Sequence, residues 1–224
     1  MNKRIIGIVG KSGTGKSTSI ETLDPKFTYI INVLGKALPF KGSEKLYNTT
    51  NKNIADISSY DQIITVLKKI SDDRPDIKTV VIEDAGYIMF IEEFRRANET
   101  GYSKFSDIAN HMYQIMTTAK HCREDLNIVF VFHENLEVKD GYGLIREIKL
   151  GGKMIKEKFS PEENLTMILY TKVEYDPVAK QSKYSFITNT TDVYPAKSPK
   201  GMFDTFEIPN DLNYVINKAN EYYS

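Results

Sequence analysis

Eight residues near the amino end carry the sharpest chemical pattern in the chain. Gly10-Lys11-Ser12-Gly13-Thr14-Gly15-Lys16-Ser17 fits G-x-x-x-x-G-K-[ST], the phosphate-binding loop. A random chain of this length shows that pattern roughly once in a hundred cases. Here it follows an apolar run and opens a helical pattern, the context its chemistry needs. Glycines at 10, 13 and 15 let the backbone turn its N–H groups inward, and a helix amino end adds partial positive charge, so the loop cradles anionic phosphates. Lys16 is expected to reach the β- and γ-phosphates as a point charge. The Ser17 hydroxyl is expected to ligate Mg²⁺ bridging the same phosphates, and Thr18 to bond near the α-phosphate.

A second site comes from Thr79-Val80-Val81-Ile82-Glu83-Asp84, an apolar strand ending in two carboxylates. Alone it is a common strand end; behind a phosphate loop it is the expected place for magnesium and the attacking water. The usual pattern gives the metal to the first acid and the water to the second. With Glu before Asp, the division of roles between Glu83 and Asp84 stays open. His133, after the apolar run Ile128 to Phe132, stands where such proteins keep a polar residue that senses the γ-phosphate, and equally where a surface histidine would stand. Lys16, Glu83, Asp84 and His133 are thus the candidate catalytic groups, and Ser17, Glu83 and Asp84 the candidate metal ligands. His111 and His121 lack partners at metal-ligand spacing and read as structural; Met112, Ile115, Met116 and Ala119 beside them read as core.

The elements that must position these groups form an α/β pattern. Strands are expected at Arg4 to Val9, Phe27 to Val33, Thr79 to Ile82 and the apolar run at 127–132. Helices are expected from Gly15 to about Leu23, ended by Asp24-Pro25, from Asp61 to Ile70 behind the capping-box sequence Ser59-Tyr60-Asp61-Gln62, and at Ile88 to Asn98 and Phe105 to His121. Beyond this the pattern changes to hairpins, Leu136 to Leu150 turning near Asp140-Gly141, and Thr166 to Glu174 with Tyr184 to Thr188 turning near Asp176-Pro177. A last helix, capped at Asn210 or Asp211, carries Leu212, Val215, Ile216 and Ala219 inward. With no linker, repeat or low-complexity tract, one domain over 1–224 is expected: a nucleotide-binding core at 1–135, completed by hairpins and a helix at 136–224.

The 224 residues carry 30 Lys+Arg against 30 Asp+Glu, which excludes a highly basic nucleic-acid coat and an acidic disordered tail. No apolar run approaches the roughly 20 residues that span a bilayer, so no membrane is expected as a partner. The single Cys122 permits no internal disulfide and suits a reducing compartment; with no secretory signal in view, a cytoplasmic location is expected. Charge is nevertheless uneven: between Leu144 and Lys158, Arg146, Lys149, Lys153, Lys156 and Lys158 stand against Glu147 and Glu157. That segment reads either as a loop able to touch a phosphate backbone or as a solvated face. Arg95, Arg96 and Arg123 read as fingers for a neighbouring subunit or as ordinary helix-surface arginines.

Together these residues resemble the compact RecA-like P-loop ATPases of phage recombination modules, described as single-strand annealing or ATP-binding proteins. Besides the loop, the resemblance rests on Ile31 to Phe40, on Val81-Ile82-Glu83-Asp84-Ala85-Gly86-Tyr87, on Lys197 to Phe203 and on Ile208 to Leu212, and it covers nearly the whole chain. It implies a RecA-like core with a mainly parallel sheet, ATP and Mg²⁺, a homo-oligomer with sites between subunits, and single-stranded DNA as partner. It also implies that Lys197 to Phe203 approach a neighbour's nucleotide. The chain departs from the pattern at Glu83, where these ATPases carry Asp, and at strand two, which ends in Asn32 to Lys36 without the acidic residue used as base. Three alternatives remain: a small-molecule or nucleotide kinase, although no arginine-rich lid is visible; a GTPase, through Thr171-Lys172-Val173-Glu174, which reads better as strand; and a nucleotide-dependent interaction switch with little turnover.

Overall fold

The computed structural model describes residues 1–139, 143–152, 155 and 157–224, which build a nine-stranded sheet with helices on both faces. The strands are β1 (Ile5–Gly10), β2 (Thr28–Asn32), β3 (Ile54–Ala55), β4 (Thr79–Glu83), β5 (Asn127–Lys139), β6 (Gly143–Ile148), β7 (Met167–Asp176), β8 (Gln181–Ile187) and β9 (Glu207–Pro209). The helices are α1 (Ser43–Leu46), α2 (Tyr60–Asp73), α3 (Tyr87–Arg95), α4 (Ser103–His121) and α5 (Leu212–Tyr222). Spatial order is β3-β2-β4-β5-β1-β7-β8-β9, parallel from β3 to β7 and antiparallel from β7 to β9, with β6 paired antiparallel to the far end of β5. The α/β class and mainly parallel sheet are as the sequence indicates.

Parallel strands covered on both faces must be apolar throughout, which is why β1, β4 and the first half of β5 show no alternation. Ile6, Ile8, Ile30, Val81 and Val131 pack with Ile20, Met202, Leu212 and Val215 on one side. Ile5, Val9, Ile31, Val80 and Ile82 pack with Leu67, Ile115 and Met116 on the other. The α5 cap is Asp211, whose carboxylate accepts from Tyr214 N at 2.9 Å; Asn210 is not the cap. Ser59 stands at the α2 cap position, yet its hydroxyl turns to the Asp61 carboxylate and caps no backbone N–H, so the capping box is not formed. The turn near Asp140-Gly141 lies outside the described residues. The second hairpin turns where Asp176 Oδ1 accepts from Val178 N and Ala179 N at 2.8 and 3.0 Å.

The segment after the phosphate loop departs most from expectation. In place of a helix from Gly15 to Leu23 there is a short 3-10 turn, Thr18–Thr22. Two hydroxyls bond back into the local backbone, Ser19 Oγ to Lys16 O at 2.6 Å and Thr22 Oγ1 to Ser19 O at 2.8 Å. Such bonds compete with the helical ladder, and Asp24-Pro25 leaves no length to recover it. A phosphate here is therefore met by loop N–H groups and Lys16 with little help from a helix dipole, which needs a run of aligned peptides.

Candidate active site

Sheet register assembles the site. Gly10 at the end of β1 lies beside His133 on β5, and Asn32 at the end of β2 lies beside Glu83 on β4. The carboxyl ends of the parallel strands thus converge on the phosphate loop, where ligands bind in open α/β sheets. A cleft of about 240 Å³ opens there, lined by the loop, Asn32, Lys36, Glu83, Asp84, His133 and Tyr184.

Within the loop, Gly13 and Gly15 take positive φ values of 77° and 95°, which a side chain disfavours. Gly10 is glycine for a different reason. A Cβ on it would stand 1.8 Å from Thr171 Oγ1 and 2.8 Å from Thr14 Oγ1, the two hydroxyls that share a 2.6 Å hydrogen bond and tie the loop to β7. Gly10→Ala is expected to destabilise the fold by several kcal/mol through overpacking. Thr171→Ala in the same chain is expected to restore part of that loss in chemical denaturation. Equal midpoints for the single and double variants would show that the clash is not the cause.

Lys16 is buried and donates to Lys11 O at 2.6 Å across the loop. Burial lowers its pKa, against the attraction of Glu83 and Asp84. Ser17 donates its hydroxyl to Glu83 Oε1, while Glu83 Oε2 is buried with no hydrogen-bond partner among the described residues. Burial pushes the Glu83 carboxyl up to about 7; the Ser17 bond opposes the rise and the neighbouring Asp84 charge adds to it.

Asp84 sits in the left-handed region at φ 57°, which turns its carboxylate away from the strand line. Its Oδ1 lies 3.0 Å from His133 Nε2 and its Oδ2 accepts from Lys36 Nζ at 3.1 Å. Burial alone would raise the Asp84 pKa, but the His133 and Lys36 hydrogen bonds outweigh it and hold the carboxyl below its ordinary value. Tyr87 meets His133 edge-on at 5.6 Å between ring centres and carries the Lys36 ammonium 5.6 Å above its own ring. Asn32 Nδ2 donates to Lys36 O and to Asp56 Oδ1, each at 2.9 Å, and so fixes the turn that delivers Lys36.

The structure brings Lys16, Ser17, Glu83, Asp84 and His133 to one cleft with loop residues Ser12, Gly13, Gly15 and Thr18. Lys11 enters through its carbonyl and Thr14 through its tie to Thr171. Asn32, Lys36 and Tyr184 were not singled out as site residues from sequence. Asn32 and Lys36 lie in a segment that carries kinship and lacks the acid such enzymes use as base, and Tyr184 lies in a hairpin far along the chain. The buried, unpartnered Glu83 Oε2 beside the Ser17 hydroxyl suits a hard cation such as magnesium, whereas both Asp84 oxygens are engaged by His133 and Lys36. Among the described residues no group of three His, Cys, Asp or Glu is placed to hold a metal.

Other candidates take structural places. Arg123 donates to Ile70 O and Ser71 O at the end of α2, and to Ile77 O; Arg96 pairs with Glu92, Glu99 and Asp107. His111 stacks on Tyr60 at 3.6 Å with Nδ1 2.7 Å from Glu92, and His121 Nδ1 lies 2.8 Å from Thr117 O. Thr171 to Glu174 lie within β7. Lys197 Nζ donates to Glu162 O at 2.5 Å, while Met202 and Phe203 are core residues. In the basic segment Arg146 pairs with the buried Glu134 at 2.7 Å and lies over the Tyr194 ring, and Lys153 and Lys156 lie outside the described residues.

No curated protein matches the chain. Among solved structures, a KaiC-like protein from the hyperthermophilic archaeon Pyrococcus horikoshii OT3 is similar at 11% identity and a TM-score of 0.45, over 83% of this chain and 78% of that one. Residues 2–199 match the AAA domain, a P-loop ATPase family, and the chain belongs to that family.

Proposed function

We propose that this protein is a magnesium-dependent ATPase in which Glu83 serves the metal side and Asp84 the attacking water, acting on single-stranded DNA in recombination or replication. The observation that carries the reading is the split between the two neighbouring acids. Glu83 lies under Ser17 with one oxygen unpartnered, and Asp84 is clamped between His133 and Lys36. Lys16 and the loop N–H groups hold the phosphates in line, and Ser17 and Glu83 would hold Mg²⁺. When bound, the ion neutralises charge that builds on the phosphate oxygens. His133 and Lys36 fix the Asp84 carboxylate, leaving it ionised and able to orient a water and take its proton.

The DNA role and a homo-oligomer rest on the resemblance and on the lysines of the basic segment, with Arg146 committed to Glu134. Phosphate release by the purified protein, with and without Mg²⁺ and single-stranded DNA, at low and moderate salt, tests the whole reading with Lys16→Ala as the blank. DNA stimulation that weakens with salt and vanishes in the variant supports it. Turnover indifferent to DNA removes the DNA role, and nucleotide binding without turnover leaves the switch. A kinase reading has one observation of its own: past Lys36 the cleft adjoins a depression lined by Asn32, Ser43, Tyr47, Asn48 and Asp56, where an acceptor hydroxyl would sit. Phosphate transferred to an added polyol in place of water would favour it.

Lys36→Ala is expected to lower the turnover number several-fold with little change in KM, because the bond from the largely exposed Lys36 to the buried Asp84 carboxylate is worth about 1 kcal/mol. Lys36→Arg is expected to recover part of it. A rise in KM at constant turnover would make Lys36 a binding group.

A further inference from the structure

One wall of the cleft is not used by the phosphate chemistry. Tyr184 on β8 pairs with Val173 on β7 and lies two residues before Phe186, so on the same face of the strand. Phe186 is buried in the core, but Tyr184 projects past it and leaves 42% of its surface exposed at the cleft. It rests on the loop itself: a Cβ on Gly15 would meet Tyr184 Cδ1 at 3.0 Å and the Asn210 amide at 3.1 and 3.2 Å. Asn210 N donates to Tyr184 O at 3.3 Å, and Asn210 Nδ2 is buried without a hydrogen-bond partner among the described residues. An exposed aromatic ring and an amide with an unmet donor thus stand together beside the loop, on the opposite side of the cleft from Asp84.

We propose that Tyr184 and Asn210 form the nucleobase subsite, with the base stacked on the Tyr184 ring and the Asn210 amide reading its edge. The proposal rests on the nucleotide-binding reading and adds a choice of base. A side-chain amide offers one donor and one acceptor. Adenine answers with N7 as acceptor and N6–H as donor, whereas guanine presents acceptors at both N7 and O6. The subsite therefore selects adenine, and an adenine at Asn210 satisfies the orphaned amide donor that otherwise costs stability. Stacking contributes to either purine, because every base has a π-face.

Calorimetric titration of the protein with the Mg²⁺ complexes of ATP, GTP and inorganic tripolyphosphate separates the contributions. The wild-type protein is expected to bind ATP about tenfold or more tighter than GTP. Tyr184→Ala is expected to weaken both nucleotides about tenfold and leave tripolyphosphate within twofold of wild type, with Tyr184→Phe retaining nucleotide affinity. Asn210→Ala is expected to bring ATP to the level of GTP and leave GTP unchanged. Equal losses for ATP and tripolyphosphate in Tyr184→Ala would make Tyr184 a support for the loop, and unchanged ATP affinity in both alanine variants would also overturn the subsite. Wild-type protein that binds neither ATP nor tripolyphosphate would instead overturn the nucleotide-binding reading on which the subsite rests. Thermal melts of Tyr184→Phe and Tyr184→Ala check that both are folded.

Discussion

Glu83→Gln is expected to abolish magnesium-dependent turnover and at the same time to raise the melting temperature of the nucleotide-free protein at pH 8. Glu83 is 5% exposed, accepts one bond from Ser17 and leaves its other oxygen unpartnered, so its charge is poorly compensated in the fold. Burial raises its folded pKa from the ordinary 4.5 to about 7. Between those values the folded state binds more protons than the unfolded one, so stability falls as pH rises through the window and levels off above it. The distance from 4.5 to about 7 corresponds to about 3 kcal/mol. A neutral amide of the same shape avoids this cost, and for a chain of this size the gain is several degrees. The advantage is largest above pH 7 and shrinks toward pH 5, where the wild-type carboxyl takes up its proton. Melts of both proteins at pH 5 and pH 8, with phosphate-release assays on the same preparations, check the two halves. A lower melting temperature for Glu83→Gln at pH 8 would mean that the carboxylate is satisfied in the fold and held there for stability.

The same balance explains what the sequence could and could not show. The phosphate loop, the strand ending in Glu83-Asp84 and the position of His133 were legible because each is set by local pattern: glycine spacing, an apolar run, a strand end. Their convergence follows from parallel pairing of β1, β4 and β5, which near-continuous apolar runs announce. The turn after the loop carries apolar spacing that suits a helix, but Ser19 and Thr22 bond to nearby carbonyls and Asp24-Pro25 cuts the segment short. Lys36 and Tyr184 could not be found this way. Each depends on a tertiary approach, Lys36 through a turn at Gly35 with φ 61° and Tyr184 through a hairpin folded back over a loop about three-quarters of the chain away. Arg123 and Arg146 show the converse: from sequence each reads either as a binding group or as an ordinary surface residue, and the fold places them on helix-end carbonyls and a buried glutamate.

Asp84→Asn is expected to lower turnover by 10²- to 10⁴-fold, the usual size for loss of a general base, while ATP affinity stays within a few-fold. The two adjacent acids face opposite environments: burial drives Glu83 up to about 7, whereas the His133 and Lys36 bonds hold Asp84 below its ordinary value despite burial. Neighbouring carboxyls pushed apart in this way take different roles, and the one that stays ionised at neutral pH is the one able to accept a proton. Asparagine is the informative replacement because Asp84 occupies φ 57°, a conformation that Asn and Asp adopt far more readily than most residues, so the turn into α3 survives. Its amide oxygen can still accept from one of Lys36 and His133, so one arm of the clamp is retained while the carboxylate charge and the other arm are lost. An alanine there would strain the backbone and confuse loss of a base with loss of a turn. Retention of more than a tenth of wild-type turnover would remove Asp84 from the water. A large rise in the Mg²⁺ concentration needed for turnover would assign it to the metal and return the base to Glu83.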